Sequence, residues 1–329
     1  MATPQATGAG HQTLDAARGL AALVVFVGHA YFFFWARLFG AEGPVGFVVL
    51  IANFTAVEVF FFLSGLLITA SIRSNIARNG RFDVIEYAAS RVARIYPPLL
   101  GAIVLTGVVW ASIAALGLPG GSTPYGLPGD AYRMREYFDF SLTEAAKAAA
   151  MQGGLISPNG PLWSLYVEWR IYIMAGAFAL LMAGPSVWLR CVAGAVLVWR
   201  IWDAFQGGSE FFLFGSFWLA GAGVAFTPFI SRLAKWPAPK FLQATGSFSY
   251  SLYIIHFPLL LFFASASQNW VGHSVGRMFA AGLGAMTMVL AASYVFAAMF
   301  EQHKALAGCL LTFRRRAEKS PPLPTLSRS

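Results

Sequence analysis

LDAARGLAALVVFVGHAYFFFWARLF, residues 14–39, decides the fold. Crossing a hydrocarbon core takes about 20 apolar residues as helix, and this run is long enough, yet it carries Arg18 and His29 eleven residues apart. At about 100° and 1.5 Å per residue that interval is about three turns, so both side chains fall on one helix face, separated by roughly 16 Å along the axis. The spacing predicts a cation near one membrane surface and an imidazole near the midplane, both facing one interior path. An anionic substrate group and a proton-transfer step suit that pair.

The rest of the chain repeats the apolar pattern. With 57% hydrophobic, 16% aromatic and 11% charged residues over 329 positions, a soluble fold would expose too much apolar surface. Runs at 14–39, 45–72, 95–117, 161–183, 186–205, 210–229, 243–265 and 276–300 read as eight spans. The fold class is therefore all-α, a polytopic transmembrane helical bundle. The formal charge of +9 sits in the short segments between runs rather than on one amphipathic face. Nucleic acid is not the expected partner; the lipid bilayer is.

Basic residues also set the expected topology. Arg73, Arg78, Arg81, Arg91 and Arg94 crowd one connection, Arg190 lies at the start of another run, Arg232, Lys235 and Lys240 fill a third connection, and Lys304, Arg314, Arg315, Arg316 and Lys319 follow the last run. Counting from a cytoplasmic N-terminus puts all of these inside, with both termini cytoplasmic. The predicted division is a flexible N-terminus (1–13), a transmembrane domain (14–303) with a long extracytoplasmic loop at about 118–160, and a basic flexible tail (304–329). Within the loop, Ser141-Leu-Thr-Glu144 has the form of a capping box before Ala145–Met151 and a Gly153-Gly154 stop, so a short helix is expected. Cys191 and Cys309, the only cysteines, predict neither a disulfide framework nor a cysteine metal site.

Four further groups carry possible chemistry. Glu58 lies in the second run, and antiparallel neighbouring spans can bring it to the depth of His29, where a carboxylate would orient the imidazole as a general base. Arg91 and Arg94 share a face at i and i+3, and two forked donors suit phosphate. Trp163, Ser164 and Glu168 start the fourth run. Ser249, Tyr253 and His256 fall on one stripe of the seventh. Bland readings compete: start-of-span arginines anchor topology, buried ionisable groups make interhelical hydrogen bonds, and Trp163 belongs to an aromatic belt. No compact His-Glu-x-x-His motif occurs, so no metal is expected.

Taken in order, Arg18 with His29, Glu58-Val-Phe-Phe-Phe-Leu-Ser-Gly65, Arg91-Val-Ala-Arg-Ile-Tyr-Pro97, Trp163-Ser-Leu-Tyr-Val-Glu168 and Ser249-Tyr-Ser-Leu-Tyr-Ile-Ile-His256 resemble acyltransferase family 3, the integral-membrane O-acyltransferases of cell-surface carbohydrates. That family commonly has more spans than the eight read here, so the expectation widens to about 8 to 10. Two further departures are Trp169 where a second acidic residue often follows the Trp-Ser-Leu motif, and Glu301-Gln-His where a proline is expected.

The resemblance implies transfer of an acyl group, usually acetyl, from acyl-CoA in the cytoplasm to a hydroxyl of a carbohydrate or glycolipid outside a bacterial cytoplasmic membrane. It maps the catalytic role onto His29 with Glu58, and acyl-CoA binding onto Arg18, Arg91 and Arg94. Trp163, Ser164, Glu168, Ser249, Tyr253 and His256 are the candidates for the acceptor or pocket. Acyl-CoA is then a donor substrate, with no permanently bound cofactor, and His29 acts as general base or as acyl carrier. A transporter or flippase for an anionic lipid or glycan is the alternative.

Overall fold

Away from water a backbone must satisfy its own amides and carbonyls, so each apolar run is expected as a helix. The computed structural model describes residues 8–126, 137–206, 209–229, 232 and 238–301. All eight runs are helical. The first is α1 (Gly8–Ala30), which passes through a π-helical turn (Tyr31–Trp35) into α2 (Ala36–Phe39); the others are α3 (Pro44–Asn79), α4 (Val84–Ala115), α6 (Leu162–Ala183), α7 (Val187–Gln206), α8 (Ser209–Val224), α10 (Ser249–Val271) and α11 (Val275–Phe300). Short helices α5 (Leu142–Ala149) and α9 (Lys240–Ser247) complete the order.

Six of these helices are long and apolar enough to cross a membrane, which makes the chain a multi-pass membrane protein. The two that fall short differ for separate reasons. Helix α7 holds Arg190, Arg200 and Asp203, and α8 has 16 residues, just under the roughly 17 that span a bilayer upright.

Charged extensions lengthen the helices at the arginine-rich end. Helix α3 runs to Asn79 and stops at Gly80, whose φ of 67° is open to glycine. Helix α4 starts at Val84 rather than near 95, so Arg91 and Arg94 are helical residues. Its start is locked twice: Asp83 accepts from the Ile85 and Glu86 amides, and the Asn75 amide brackets the Asp83 backbone at 2.9 and 3.1 Å. Pro97 and Pro98 then remove the amides that would have bonded the Ala93 and Arg94 carbonyls.

At the other end, Ser141 caps α5 by accepting from the Glu144 amide at 3.1 Å, as the capping pattern predicts. The Glu144 carboxylate, though, turns to Lys147 at 2.7 Å, and that ammonium holds its pKa below the usual carboxylate value. The helix ends before Gly153 and Gly154, both at positive φ. Arg133, Arg135 and Glu136 of this loop, residues 1–7, Lys235, Cys309 and the basic tail at 304–329 lie outside the described residues.

Helix α10 forms the centre of the bundle, 72% buried over its apolar window, whereas the windows of α3 and α11 are 22% and 17% buried. Helices α3 and α8 cross backbone to backbone, because Gly65 lies against the Trp218 carbonyl and Gly221 against the Phe62 carbonyl. A side chain at Gly65 would drive this pair apart. Gly65→Val is expected to destabilise the protein by about 1–3 kcal/mol, the usual range for overpacking. The control is Gly284→Ala, where an added methyl meets nothing within 4 Å and alanine favours the helix, so the thermal midpoint should not fall.

Candidate active site

Helices α1, α3, α4, α6 and α10 enclose a cavity of about 90 Å³ at the arginine-rich end. Arg18, Arg91, Arg94, Ser164, Glu168, Ser249 and Tyr253 all line it, so residues from four separate motifs meet in one place. The guanidiniums are lightly held. Arg18 approaches Asp15 at 3.4 Å, Arg91 reaches Ser71 and Ser90 at 3.3 and 3.2 Å and lies over the Tyr87 ring at 5.7 Å, and Arg94 has no hydrogen bond or ion pair among the described residues. Three cations around one small space, with Glu168 as the one lining carboxylate, are suited to holding an anion.

One carboxylate does face the cavity, and it is engaged elsewhere. Tyr172 donates its hydroxyl to Glu168 at 2.5 Å and accepts from Ser64 at 3.3 Å. Tyr250, also lining the cavity, donates to the Ile95 carbonyl at 3.2 Å and fixes α10 against the Arg91–Arg94 turn. Beyond the last span, Glu301 accepts from the Ser251 amide at 2.9 Å and the Ser251 hydroxyl at 2.5 Å; burial raises its pKa from the ordinary value.

His29 lies in a second space, an open cleft of about 350 Å³ that it shares with Glu42, Asn53, Trp163 and Tyr253. Val57 and Tyr253 line both spaces and form the wall between them. That wall is pinned. The Ser164 hydroxyl donates to the Pro161 carbonyl at 3.1 Å, which leaves Tyr253 as the donor in its 2.7 Å bond to Ser164, and Phe60 packs edge-on against the Tyr253 ring at 5.4 Å.

One partner of His29 is His256. Their Nδ1 and Nε2 atoms are 3.0 Å apart, and His256 Nδ1 lies 2.8 Å from the Leu252 carbonyl. A carbonyl only accepts, so His256 carries its proton on Nδ1 and offers the Nε2 lone pair to the Nδ1 proton of His29. With its proton on Nδ1, His29 carries its ring lone pair on Nε2. The fully buried position of His256, with Phe26 edge-on at 6.0 Å, holds the relay rigid.

Glu58 lines neither of these two spaces. The sequence places this carboxylate at the depth of His29, but α3 turns Val57 toward the cleft, and among the described residues Glu58 makes no hydrogen bond or ion pair. One position is a rotation of about 100° on a helix, enough to take it off the site-facing side. The sequence reading also missed residues that the folded chain brings in: Tyr172 and Tyr250 in the cavity, Asn53 and Glu42 in the cleft, and Asn159, which ties the start of α6 to the Ile254 carbonyl of α10 at 2.9 Å. Asn53 alone had a legible signal, an amide in the middle of an apolar run. Among the described residues, no three His, Cys, Asp or Glu side chains converge as a metal site.

A family model described as an acyltransferase domain matches residues 11–206. The acyltransferase MdmB of Streptomyces mycarofaciens is 32% identical over 164 residues, 49% of this chain and 37% of that protein. An O-acetyl transferase of Shigella phage Sf6 is 33% identical over 165 residues, 49% of this chain and 44% of that protein. The matches thus span less than half of each relative's length. No solved structure matches the chain significantly.

Proposed function

The chain belongs to the acyltransferase family defined by that domain, and from this premise we propose that it moves an acyl group, acetyl first among candidates, from acyl-CoA to a hydroxyl of a carbohydrate or glycolipid across a bacterial cytoplasmic membrane. The observation that carries the proposal is the meeting of two spaces at one wall: a three-arginine cavity on one side of Tyr253 and Val57, and the His29 cleft on the other.

With the arginine-rich end cytoplasmic, as the distribution of positive charge requires, the cavity receives the phosphates of acyl-CoA. Arg91 and Arg94 present forked donors and Arg18 adds a third cation. The narrow pantetheine arm carries the thioester past Tyr253 to His29. The acceptor hydroxyl enters the cleft from the far side. His29 Nε2 takes the hydroxyl proton as the oxygen attacks the thioester carbonyl, the carbon–sulfur bond breaks, and the thiolate of CoA leaves and takes up the proton. His256 serves as the positioning residue that holds the His29 tautomer, in the place where the sequence suggested Glu58.

The direct test is release of CoA thiol from acetyl-CoA by purified protein in lipid nanodiscs, with and without a glycan extract from its native host. Glycan-stimulated release supports acyl transfer. No release with acetyl or longer acyl-CoAs, together with movement of glycan or lipid across a vesicle membrane, would instead identify a transporter.

The wall gives a second expectation. Tyr253→Phe keeps the ring and removes the bond to Ser164, so water should reach the thioester more readily. CoA release without acceptor should rise about 2- to 10-fold, the equivalent of one hydrogen bond of 0.5–1.5 kcal/mol. Unchanged release would mean that the Tyr253 hydroxyl does not close the passage.

A further inference from the structure

Asn53 is a polar group beside His29 that this mechanism leaves unused. It sits in the middle of α3, lines the His29 cleft, and has its Oδ1 buried without a hydrogen-bond partner. Neither end of its amide bonds to a described residue. An unsatisfied amide within apolar surroundings costs about 1–3 kcal/mol, so its retention beside the cleft calls for an explanation, and a ligand contact is one. Its position is also prepared by the neighbouring helix. The amide lies flat against Gly28, the residue before His29, and a Cβ at Gly28 would overlap Asn53 Oδ1. Glycine at 28 therefore makes the room for Oδ1 in the contact between α1 and α3, and Nδ2 is the end of the amide that is not sealed off.

Asn53 lies one helical turn from Val57, on the same face of α3, and it lines the cleft but not the arginine cavity. It thus stands on the acceptor side of the wall. Its amide nitrogen offers two donors, which suit the hydroxyl oxygens of a sugar ring. Trp163 in the same cleft adds an apolar face, and Glu42 adds a carboxylate at the open rim.

We propose that Asn53 is the specificity residue of the acceptor subsite, hydrogen-bonding a sugar hydroxyl beside the one that His29 deprotonates. This rests on the acyl-transfer reading for its purpose, but its test does not depend on turnover. Binding of methyl α-glycosides of glucose, galactose, mannose and rhamnose to nanodisc-embedded protein is measured by saturation-transfer NMR, without acyl-CoA, for wild type, Asn53→Leu and Asn53→Ala. Leucine keeps the branching and heavy-atom count and removes both polar ends; alanine guards against a misfit from its greater bulk, and thermal unfolding reports whether each variant is folded.

The expected result is transfer to at least one glycoside by wild type and a loss of about tenfold or more in affinity in the folded variants, as when a site's hydrogen-bonding group is left unpaired. Equal affinity in the folded variants, or no glycoside bound by wild type, would overturn the assignment. CoA release on the same nanodiscs reports separately on the acyl-transfer reading, so the two can fail independently.

Discussion

His29→Ala should lower glycan-dependent CoA release by about 10²- to 10⁴-fold, the contribution of a positioned general base. The protein should remain folded, because His29 is only half-buried at the edge of the cleft and its removal leaves the core intact. Acyl-CoA affinity should stay near the wild-type value, since His29 does not line the arginine cavity. The same logic extends to His256, whose Nε2 lies 3.0 Å from His29 Nδ1. His256→Gln can still accept from His29 and should retain part of the activity, whereas His256→Ala releases the tautomer and should shift the pH–rate profile. A His29→Ala variant that is folded and as active as wild type would remove this imidazole from the chemistry.

Arg94→Ala should act on the donor instead. A hydrogen bond between a guanidinium and a phosphate contributes about 1.5–3 kcal/mol, so its loss should raise the acyl-CoA concentration for half-maximal rate roughly 10- to 150-fold. Arg94→Lys should recover little, because an ammonium lacks the planar fork. A short thioester without the nucleotide, S-acetyl-N-acetylcysteamine, separates affinity from folding. Wild type and Arg94→Ala should use it equally well. If the variant is impaired with both donors to the same degree, Arg94 supports the fold rather than the phosphates.

Much of this arrangement was legible in the residues. The apolar runs mark all eight long helices, Ser141 and Glu144 mark the start of α5, and the start-of-span arginines converge because antiparallel spans of similar length bring their charged ends to one side. What was not legible is rotation and partner choice. Glu58 and Val57 are neighbours in sequence, and the choice of which one faces the cleft depends on how α3 packs through Gly65 against α8. The His29–His256 bond joins residues 227 positions apart, and no periodicity within either helix announces it. The span boundaries at 45–72 and 95–117 fell short for a related reason. Apolarity ends where lipid ends, but α3 and α4 continue as charged helix, held by the Asn75–Asp83 lock.

The passage between the two spaces is tested most directly in sealed proteoliposomes of defined orientation, with radiolabelled acetyl-CoA supplied only at the arginine-rich face and host glycan only at the other. The expected result is labelled glycan on the far side, abolished by His29→Ala and sharply reduced by Arg94→Ala at limiting donor. Labelling that occurs only when acetyl-CoA and glycan share the same face would contradict it, and would place both substrates in one of the two spaces.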